Sequence, residues 1–342
     1  MVARSTCNSE YFSERKTCPI CLSNDTEVLY SSPYTEDPVR AFVLSHYNGQ
    51  GQVNLDYLRG TDFTLCDCRA CGTLYQQHVP NGFLLDKIYN EMISAATLFP
   101  REINSLTISK FDSIAGEMTE LFARVRKRPS EIRMLDYGFG YGAWARVAVA
   151  LGAQVYATEI SPEKIAFGKE IGVKMIGEDE LAALQFDIVH TEQVLEHLTE
   201  SRADFFKLAA RVAPGGIMKV AVPPAGNIRG LLKSRGMAAM SPLESDWQTP
   251  AERKQAGQNA GYMCVVPLEH LNVFSAKSIE RLGGEAGLSL ISTVRREAVP
   301  ISLSDRRRLL KSLSQLGRVA ARVVLDSMRL RDSGYYILTR QQ

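Results

Sequence analysis

The segment "LDYGFGYGAW" (Leu135–Trp144) constrains the fold of this chain more than any other stretch. Its glycines, Gly138, Gly140 and Gly142, fall between a strand-like apolar run, "IRMLDYG", and a helix-like run, "GAWARVAVALG". Glycines at such a junction let the backbone turn tightly and approach a ligand closely, and the amides at the helix start then face that ligand. The sequence therefore predicts a strand, a glycine loop and a helix that together bind a ligand.

Short apolar runs continue to alternate with helix-like segments beyond this loop. Pro162 and Ser275 stand where two of these helices begin, as a first-turn proline and as a side-chain cap. Such alternation indicates an α/β fold with a doubly wound parallel sheet. The remaining strands are predicted at "AQVYATEI", "GVKMIG", "FDIVHTE", "GIMKVAVPP", "SLISTVRRE" and "GYYILTR".

The cysteines are clustered near the amino terminus. Five of the seven fall between Cys18 and Cys71, and in a reducing compartment such a cluster indicates a metal site better than disulfides. Two Cys-x-x-Cys pairs, Cys18–Cys21 and Cys68–Cys71, supply the four thiolates of a closed, structural Zn²⁺ site. The pairs resemble zinc-ribbon knuckles, although 46 residues separate them. Cys66 is an alternative ligand to Cys68, which we prefer because it completes the second pair.

Composition excludes several classes of protein. The 342 residues are 45% hydrophobic and 23% charged, with a net charge of +2, which is too close to neutral to indicate a nucleic-acid partner by itself. No apolar run approaches the length of a membrane span, and the first residues lack the apolar core of a secretory signal. A cytoplasmic location is therefore the default expectation.

Three motifs together point to a family. Asp136 stands two residues before the first loop glycine, "FDIVHTEQVLEHL" forms the fourth strand and its exit, and "RVAPGGIMKVAVP" forms the fifth strand. In their order and spacing, from Ile132 to about Leu290, these motifs resemble the class I S-adenosylmethionine-dependent methyltransferases. The resemblance implies a Rossmann-like methyltransferase sheet.

The predicted domain organisation follows from these motifs. Residues 1–80 are expected to form a tail and a zinc-ribbon-like module, 81–130 a helical linker, and 131–342 the methyltransferase domain. Within that domain, residues 225–262 are predicted to form a lid, with Trp247 and Tyr262 as its substrate contacts.

The resemblance also implies S-adenosyl-L-methionine as the cofactor. The glycine loop would line its methionine part, Glu159 would accept both ribose hydroxyls, and Glu192 with Gln193 would lie under the sulfonium. The implied cofactor-binding residues are Asp136, Gly138, Gly140, Gly142, Glu159, Gly177, Glu178, Asp179, Glu192 and Gln193. The glycines also fit the dinucleotide fingerprint loosely, so an NAD-dependent oxidoreductase is an alternative.

The tripeptide Glu-His-Leu occurs twice, at Glu196–Leu198 and at Glu269–Leu271. In the family the first copy is usually structural or lies at the cofactor edge. The second follows the predicted lid, where a neutral His270 could accept a proton as the methyl group is transferred and Glu269 could orient it. A hydrogen-bonded structural histidine is the alternative interpretation of His270.

The paired cysteines, this domain and the second Glu-His together resemble the nucleotide-sugar C-methyltransferases. That resemblance implies a nucleoside-diphosphate sugar or a related glycan or secondary-metabolite intermediate as acceptor, methylated at an activated carbon or a hydroxyl. Those enzymes carry a catalytic Tyr-x-Glu-His, whereas Pro267 stands at the tyrosine position here. A quinone or polyketide-like acceptor is the alternative within the same reaction class.

A basic amphipathic helix is predicted over residues 303–331. It carries an apolar face and eight basic residues, Arg306, Arg307, Arg308, Lys311, Arg318, Arg322, Arg329 and Arg331. A solvated basic face on a packed helix, a site for an anionic substrate and contact with an acidic membrane surface are the three interpretations. A zinc-ribbon protein that binds nucleic acid through this helix is a further alternative class.

Overall fold

The computed structural model describes residues 6–47, 50–93, 106–239, 264–295, 306–328 and 332–341. The predicted lid contacts Trp247 and Tyr262 lie outside the described residues, as does most of the predicted lid.

The chain forms two compact units, each built from three segments. The first unit comprises Met1–Pro100, Leu195–Phe205 and Val222–Leu282, and the second comprises Arg101–Val194, Phe206–Ala221 and Gly283–Gln342. These units do not coincide with the domain boundaries expected at residues 80 and 130, because later segments of the chain return to the first unit.

The strands follow the predicted alternation closely. In chain order they are β1 (Phe12–Glu14), β2 (Thr26–Pro33), β3 (Asp62–Cys68), β4 (Leu74–Gln76), β5 (His78–Pro80), β6 (Arg133–Tyr137), β7 (Gln154–Thr158), β8 (Lys174–Met175), β9 (Phe186–Glu192), β10 (Val212–Ala221), β11 (Asn272–Val273), β12 (Leu288–Ser292) and β13 (Tyr335–Arg340). Every strand predicted from residue 132 onward is therefore present.

Two of the helices begin where the sequence places a first-turn proline and a cap. The helices are α1 (Val39–His46), α2 (Gly82–Lys87), α3 (Ile108–Val125), α4 (Ala143–Ala150), α5 (Pro162–Glu170), α6 (Glu178–Ala183), α7 (Ser201–Ala209), α8 (Ile228–Arg235), α9 (Ala276–Glu285) and α10 (Arg306–Ser327). Pro162 occupies the first turn of α5. The Ser278 amide donates to Ser275 Oγ at 3.1 Å at the start of α9, which confirms the predicted cap.

The second unit contains a seven-stranded sheet of order β12-β13-β10-β9-β6-β7-β8. The predicted Rossmann-like methyltransferase sheet is confirmed, with one correction to its direction. The pairs from β10 to β8 are parallel, but β13 runs antiparallel to both β10 and β12. Since Tyr335 to Leu338 are all buried, β13 needs an interior position with both faces covered, and it takes the place between those two strands.

The core of the second unit lies on the faces of this sheet. Met134, Ile188 and Ile337 contribute from the strands, and Ile114 and Met118 pack against them from α3. Residues 186–191 of β9 are buried without interruption, as expected for a central strand of a doubly wound sheet. Polar side chains in these strands must therefore find partners inside the protein.

The first unit is built on a four-stranded antiparallel sheet of order β11-β4-β3-β2 and a β1–β5 pair. The stretch between the two cysteine pairs folds as β2, α1 and β3, so it returns to the sheet rather than leaving the unit. Phe42, Val43 and Phe63 from this stretch share one core with Val265 and Val273. That shared core explains why the segment after residue 263 belongs to this unit.

The predicted basic helix is observed as α10, and most of the apolar side chains that the structure describes on it are exposed. Leu310, Leu316, Val324 and Met328 are exposed, and the helix is buried at Ser312 and Asp326. Arg329 and Arg331 lie outside the described residues, as do the side chains of Arg306, Arg307, Arg308 and Lys311. Among the helices that the structure describes, all are too short or too polar to cross a membrane.

Candidate functional site

The glycine loop lies at the carboxyl end of β6, between Tyr137 and the start of α4. Gly138 and Gly142 have φ of 77° and 66°, a region that side chains other than glycine adopt at a cost. A Cβ atom at Gly138 would lie 2.5 Å from Val194 Cγ2, and one at Gly142 would lie 2.4 Å from Phe139 Cζ. Both positions therefore require glycine for dihedral and steric reasons, and the loop presents bare backbone.

The Glu159 carboxylate is tied to this loop. Its Oε2 accepts a hydrogen bond from the Gly140 amide at 3.0 Å, and its Oε1 accepts from the Ile160 and Ser161 amides at 2.8 and 3.1 Å. Glu159 follows β7, the strand next to β6. Glu159, the residue predicted to bind the ribose, is thus held beside the glycine loop. A ribose hydroxyl would compete with the Gly140 amide for Glu159 Oε2.

The other predicted cofactor residues also follow strand ends. Gly177 precedes the first turn of α6, in which Glu178 bonds Lys207 Nζ at 3.0 Å and Asp179 is exposed. Glu192 ends β9, and Gln193 then takes a φ of 55° while its amide donates to Ala221 O at 2.8 Å. The predicted set therefore gathers at the carboxyl ends of four neighbouring parallel strands, β9, β6, β7 and β8, the edge at which open α/β sheets bind ligands.

A buried charge cluster that the sequence analysis missed lies in the same unit. Lys219 is fully buried in β10, and its Nζ lies 3.1 Å from His190 Nε2 and 3.4 Å from Glu117 Oε1. The same ammonium forms an ion pair with Glu192. Arg295 donates to Glu117 Oε2 at 3.1 Å and to Glu192 Oε1 at 2.9 Å. Two cations and two carboxylates thus neutralise each other inside the protein.

This cluster reaches the predicted cofactor residue Asp136. His190 Nδ1 lies 2.7 Å from Asp136 Oδ1. Because Lys219 donates to Nε2, the imidazole proton sits on Nδ1 and is donated to Asp136. Burial raises the pKa of Asp136 to about 8, against the opposing charge of Lys219. Burial, followed by the charge of Lys219, holds the pKa of His190 well below its usual range.

A sequence signal for part of this cluster was available. Lys219 interrupts the apolar run "GIMKVAVPP", and His190 interrupts "FDIVHTE". A charged residue in a strand that is buried on both faces needs an internal partner. Glu117 and Arg295 carried no such signal, because they belong to α3 and to the segment after β12, in polar surroundings.

Four cysteines meet in the first unit. Cys18 Sγ lies 3.7 Å from Cys71 Sγ, and Cys21 Sγ lies 3.5 Å from Cys68 Sγ. All four sulfur atoms lie within 4.8 Å of one another and all four residues are buried. Sulfur atoms bound tetrahedrally to zinc at about 2.3 Å are separated by about 3.8 Å, so this arrangement fits a zinc ion. Gly72, directly after the last cysteine, has a positive φ of 76°, which glycine adopts without steric cost.

Cys66 does not join this group. It is buried, and its Sγ contacts Gln77 Oε1 at 3.8 Å instead. The geometry therefore favours Cys68 over Cys66 as the fourth sulfur. Zinc binding by Cys18, Cys21, Cys68 and Cys71 stays a prediction.

The two Glu-His pairs converge in the first unit. The rings of His197 and His270 lie edge to face with centroids 4.8 Å apart, and Glu196 Oε1 lies 3.8 Å from His197 Nε2. Glu269, the predicted partner of His270, places its Oε1 2.7 Å from Nε2 of a third histidine, His46.

Burial and neighbouring charges shift the pKa values of the residues in this cluster strongly. Burial, followed by the charge of His270, lowers the pKa of His197 to about 3. Burial acts in the opposite direction on Glu269, but the hydrogen bond and charge of His46, with the charges of His197 and His270, hold the pKa of Glu269 at about 2. Glu269 is therefore an ionised carboxylate among imidazoles at neutral pH.

Comparison with known proteins places the chain in a family. The family profile described as a methyltransferase domain matches residues 111–293, which is more than half of the chain. The chain therefore belongs to the methyltransferase-domain family, as the motifs between Ile132 and Leu290 predict.

Individual relatives match over shorter stretches. The ubiquinone biosynthesis O-methyltransferase of Rhodopseudomonas palustris (strain HaA2) is 36% identical over 35% of this chain and 51% of its own length. The enzyme of the same name from Xanthomonas axonopodis pv. citri is 27% identical over 41% of this chain and 66% of its own. This chain thus spans only about half the length of the first of these relatives.

A solved structure is also similar to part of the chain. It is CalS10, an amino pentose methyltransferase from Micromonospora echinaspora, with 15% identity, coverage of 71% of this chain and 95% of its own, and a TM-score of 0.39.

Substituting the cysteines separately tests the metal site. We expect wild-type protein to contain about one zinc ion per chain and Cys68→Ser to lose it, because three thiolates hold the ion less tightly than four. Cys66→Ser is the matched control and should keep the metal. Metal analysis by mass spectrometry and thermal unfolding measure both effects. Equal zinc content in the two variants would refute the assignment of Cys68.

Replacing Lys219 tests the buried charge cluster. Lys219→Met leaves Glu117 and Glu192 with Arg295 alone, so we expect a loss of about 3–5 kcal/mol in the free energy of unfolding. Lys207→Met is the control, since Lys207 pairs with the exposed Glu178, and exposed pairs contribute at most about 1 kcal/mol. Denaturant titration measures both. Similar losses of unfolding free energy in the two variants would show that the pairing of Lys219 with Glu117 and Glu192 does not stabilise the protein as predicted.

Proposed function

We propose that this protein is an S-adenosylmethionine-dependent methyltransferase of small molecules. The observation that carries the proposal is the glycine loop after β6, with its left-handed glycines and the Glu159 carboxylate bound to its Gly140 amide. Membership of the methyltransferase-domain family supports the same conclusion. It favours this cofactor over NAD, the alternative that the glycine spacing alone left open.

The residues at the carboxyl ends of the parallel strands fit such a cofactor chemically. A Cβ at Gly140 would meet only Gly138 O, at 3.9 Å, so the loop backbone is open there, and Glu159 offers a carboxylate for ribose hydroxyls. Asp136, near the end of β6, would provide a carboxylate for a cationic ligand when it ionises. S-adenosylmethionine supplies an electrophilic methyl group, and the protein then has to align the acceptor with it.

A base is needed when the methyl acceptor carries a proton that it does not lose unaided. In our proposal His270 removes that proton from an activated carbon or a hydroxyl, and the ionised Glu269 stabilises the imidazolium that forms. The acceptor's electron pair would form the new bond to the methyl carbon as the methyl–sulfur bond breaks, and the electrons of that bond would stay on the sulfur of the leaving S-adenosylhomocysteine. The acceptor's proton would remain on His270 until solvent removes it. This methyl transfer requires no oxidant or reductant.

We infer that the acceptor is a nucleoside-diphosphate sugar or a related glycan or secondary-metabolite intermediate. Support comes from the four clustered cysteines together with the second Glu-His, the combination on which the resemblance to nucleotide-sugar C-methyltransferases rests. A quinone-like phenol is the second candidate, favoured by the name of the matched relatives. Incubation with methyl-labelled cofactor and both acceptor classes, followed by mass analysis of the product, separates the two.

Calorimetry tests cofactor binding. We expect S-adenosylhomocysteine, whose homocysteine part carries an ammonium group, to bind while NAD does not. Because the folded pKa of Asp136 is raised to about 8, a cation beside it favours the ionised form, and binding at pH 7 should release part of a proton. Affinity should then rise with pH up to about 8.

The proton release has its own control. Asp136→Asn should remove the dependence of the binding enthalpy on buffer ionisation, whereas the exposed Asp179→Asn should keep it. Binding of NAD in place of S-adenosylhomocysteine would overturn the proposed function.

Two substitutions separate chemistry from cofactor binding. His270→Ala should lower turnover by about 100-fold or more, the contribution typical of a general base, and leave the affinity for S-adenosylhomocysteine nearly unchanged. Glu159→Ala should weaken that affinity. Turnover is measured with the acceptor that the labelling experiment identifies. Near-normal turnover in His270→Ala would return His270 to a structural role.

A further inference from the structure

The turn that carries Glu269 and His270 is held by residues from far earlier in the chain. Gln76 of β4, which is fully buried, donates through Nε2 to the Val266 and His270 carbonyls, both at 3.0 Å. The His270 amide donates back to Val266 O at 2.9 Å. The turn backbone is thus fixed by one amide side chain of the first unit.

The Glu269 side chain has a separate holder. His46, the last residue of α1, places Nε2 2.7 Å from Glu269 Oε1. The residue before Glu269, Leu268, has a φ of 72°, a strained conformation for leucine that persists only where surrounding contacts enforce it. Backbone and side chain contacts therefore both direct Glu269 toward His46.

His46 is itself locked in place. Its ring stacks on Phe42 with centroids 5.6 Å apart and meets Tyr47 edge to face at 4.9 Å. Gln50 Nε2 donates to the His46 carbonyl at 2.6 Å. Only 3% of the residue surface is exposed, so the imidazole cannot rotate without repacking both aromatic rings.

This geometry assigns a proton. An ionised carboxylate only accepts hydrogen bonds, so His46 must donate from Nε2. The groups that face Glu269 are then His46 and Tyr47 from the end of α1, His197 from the other Glu-His pair, and His270 from its own turn. His46 bonds the Glu269 carboxylate directly, and Glu196 is a second carboxylate beside His197 and His270.

We propose that His46 is a positioning residue for the Glu269–His270 pair, acting through its hydrogen bond to the Glu269 carboxylate. It fixes the carboxylate in its ionised form and in one orientation, so that Glu269 can stabilise the imidazolium formed when His270 accepts the acceptor's proton. The inference rests on the proposed function of His270. It makes the stretch between the two cysteine pairs a part of the catalytic apparatus as well as of the fold.

Variants of the full-length protein test this role. His46→Phe removes the donor, and His46→Gln keeps an N–H that can reach a carboxylate. The matched control is His78→Phe, since His78 is equally buried in the same unit and bonds a backbone carbonyl, Asp62 O, at 2.9 Å. We expect His46→Phe to lower kcat by about 10- to 100-fold, as is typical when a group that orients a functional residue is lost. His46→Gln should retain most of the activity.

A double substitution supplies a readout that a purely structural role would not move. In a Glu269→Gln background, adding His46→Phe should lower kcat little further, because the carboxylate that His46 orients is already gone. The acid limb of the kcat/KM profile should also move to higher pH in His46→Phe, because Glu269 loses the bond that keeps its pKa low. Additive losses in the double variant would overturn the proposal.

Nitrogen-15 NMR of the histidines gives a test that needs neither acceptor nor turnover. In wild-type protein saturated with S-adenosylhomocysteine, the His46 resonance should show a proton on Nε2. An unprotonated Nε2 would overturn the proposal even if His46→Phe failed to fold.

Failure of the proposed function has a different signature. It appears as wild-type protein that binds no S-adenosylhomocysteine. Failure of the positioning role appears as active wild type with His46→Phe behaving like His78→Phe.

Discussion

The buried ammonium of Lys219 is the interaction on which the second unit depends most. β9 and β10 are covered on both faces, so their polar groups have no water to bind. Lys219 meets this constraint by contacting Glu117, Glu192 and His190. His190 in turn forms a hydrogen bond to Asp136. The carboxyl edge of the sheet is thereby fixed by charge pairing as well as by the β ladders. Gln193 can hold its strained φ because the strand ends on either side of it are anchored in this way.

The first unit solves a different problem, that of joining segments distant in sequence. α1 and β3 come from between the cysteine pairs, whereas the segment from 264 to 273 comes from beyond the predicted lid, yet they share one core. The clustered cysteines bring the carboxyl end of β3 next to the segment that precedes β2. A zinc ion there would fix the ends of the stretch that carries His46, because Cys21 and Cys68 bound it on either side.

How far the sequence was informative depended on whether a feature was local. The glycine loop, the strand alternation and the helix caps follow from neighbouring residues, and the structure contains them. The cysteine grouping was also accessible, because residue type and pair spacing determine ligand geometry. The sequence did not indicate the antiparallel direction of β13, because the apolar pattern of a buried strand is the same for parallel and antiparallel pairing. The contacts of Lys219 with Glu117 and of Glu269 with His46 join residues more than a hundred positions apart, and no local pattern reports such pairs.

The two Glu-His-Leu copies show why local identity does not determine chemistry. Glu196 is fully buried, and its oxygen lies 3.8 Å from His197 of its own pair. Glu269 instead bonds a histidine from another part of the chain, and its turn is held by Gln76. The difference therefore comes from the partners supplied by α1 and β4. Those partners lie in the cysteine-flanked stretch and directly after it, so the amino-terminal region supplies the contacts that orient the Glu269 carboxylate. If Glu269 and His270 act as proposed, the bond from His46 gives that region a role in catalysis that is independent of the metal its cysteines would bind.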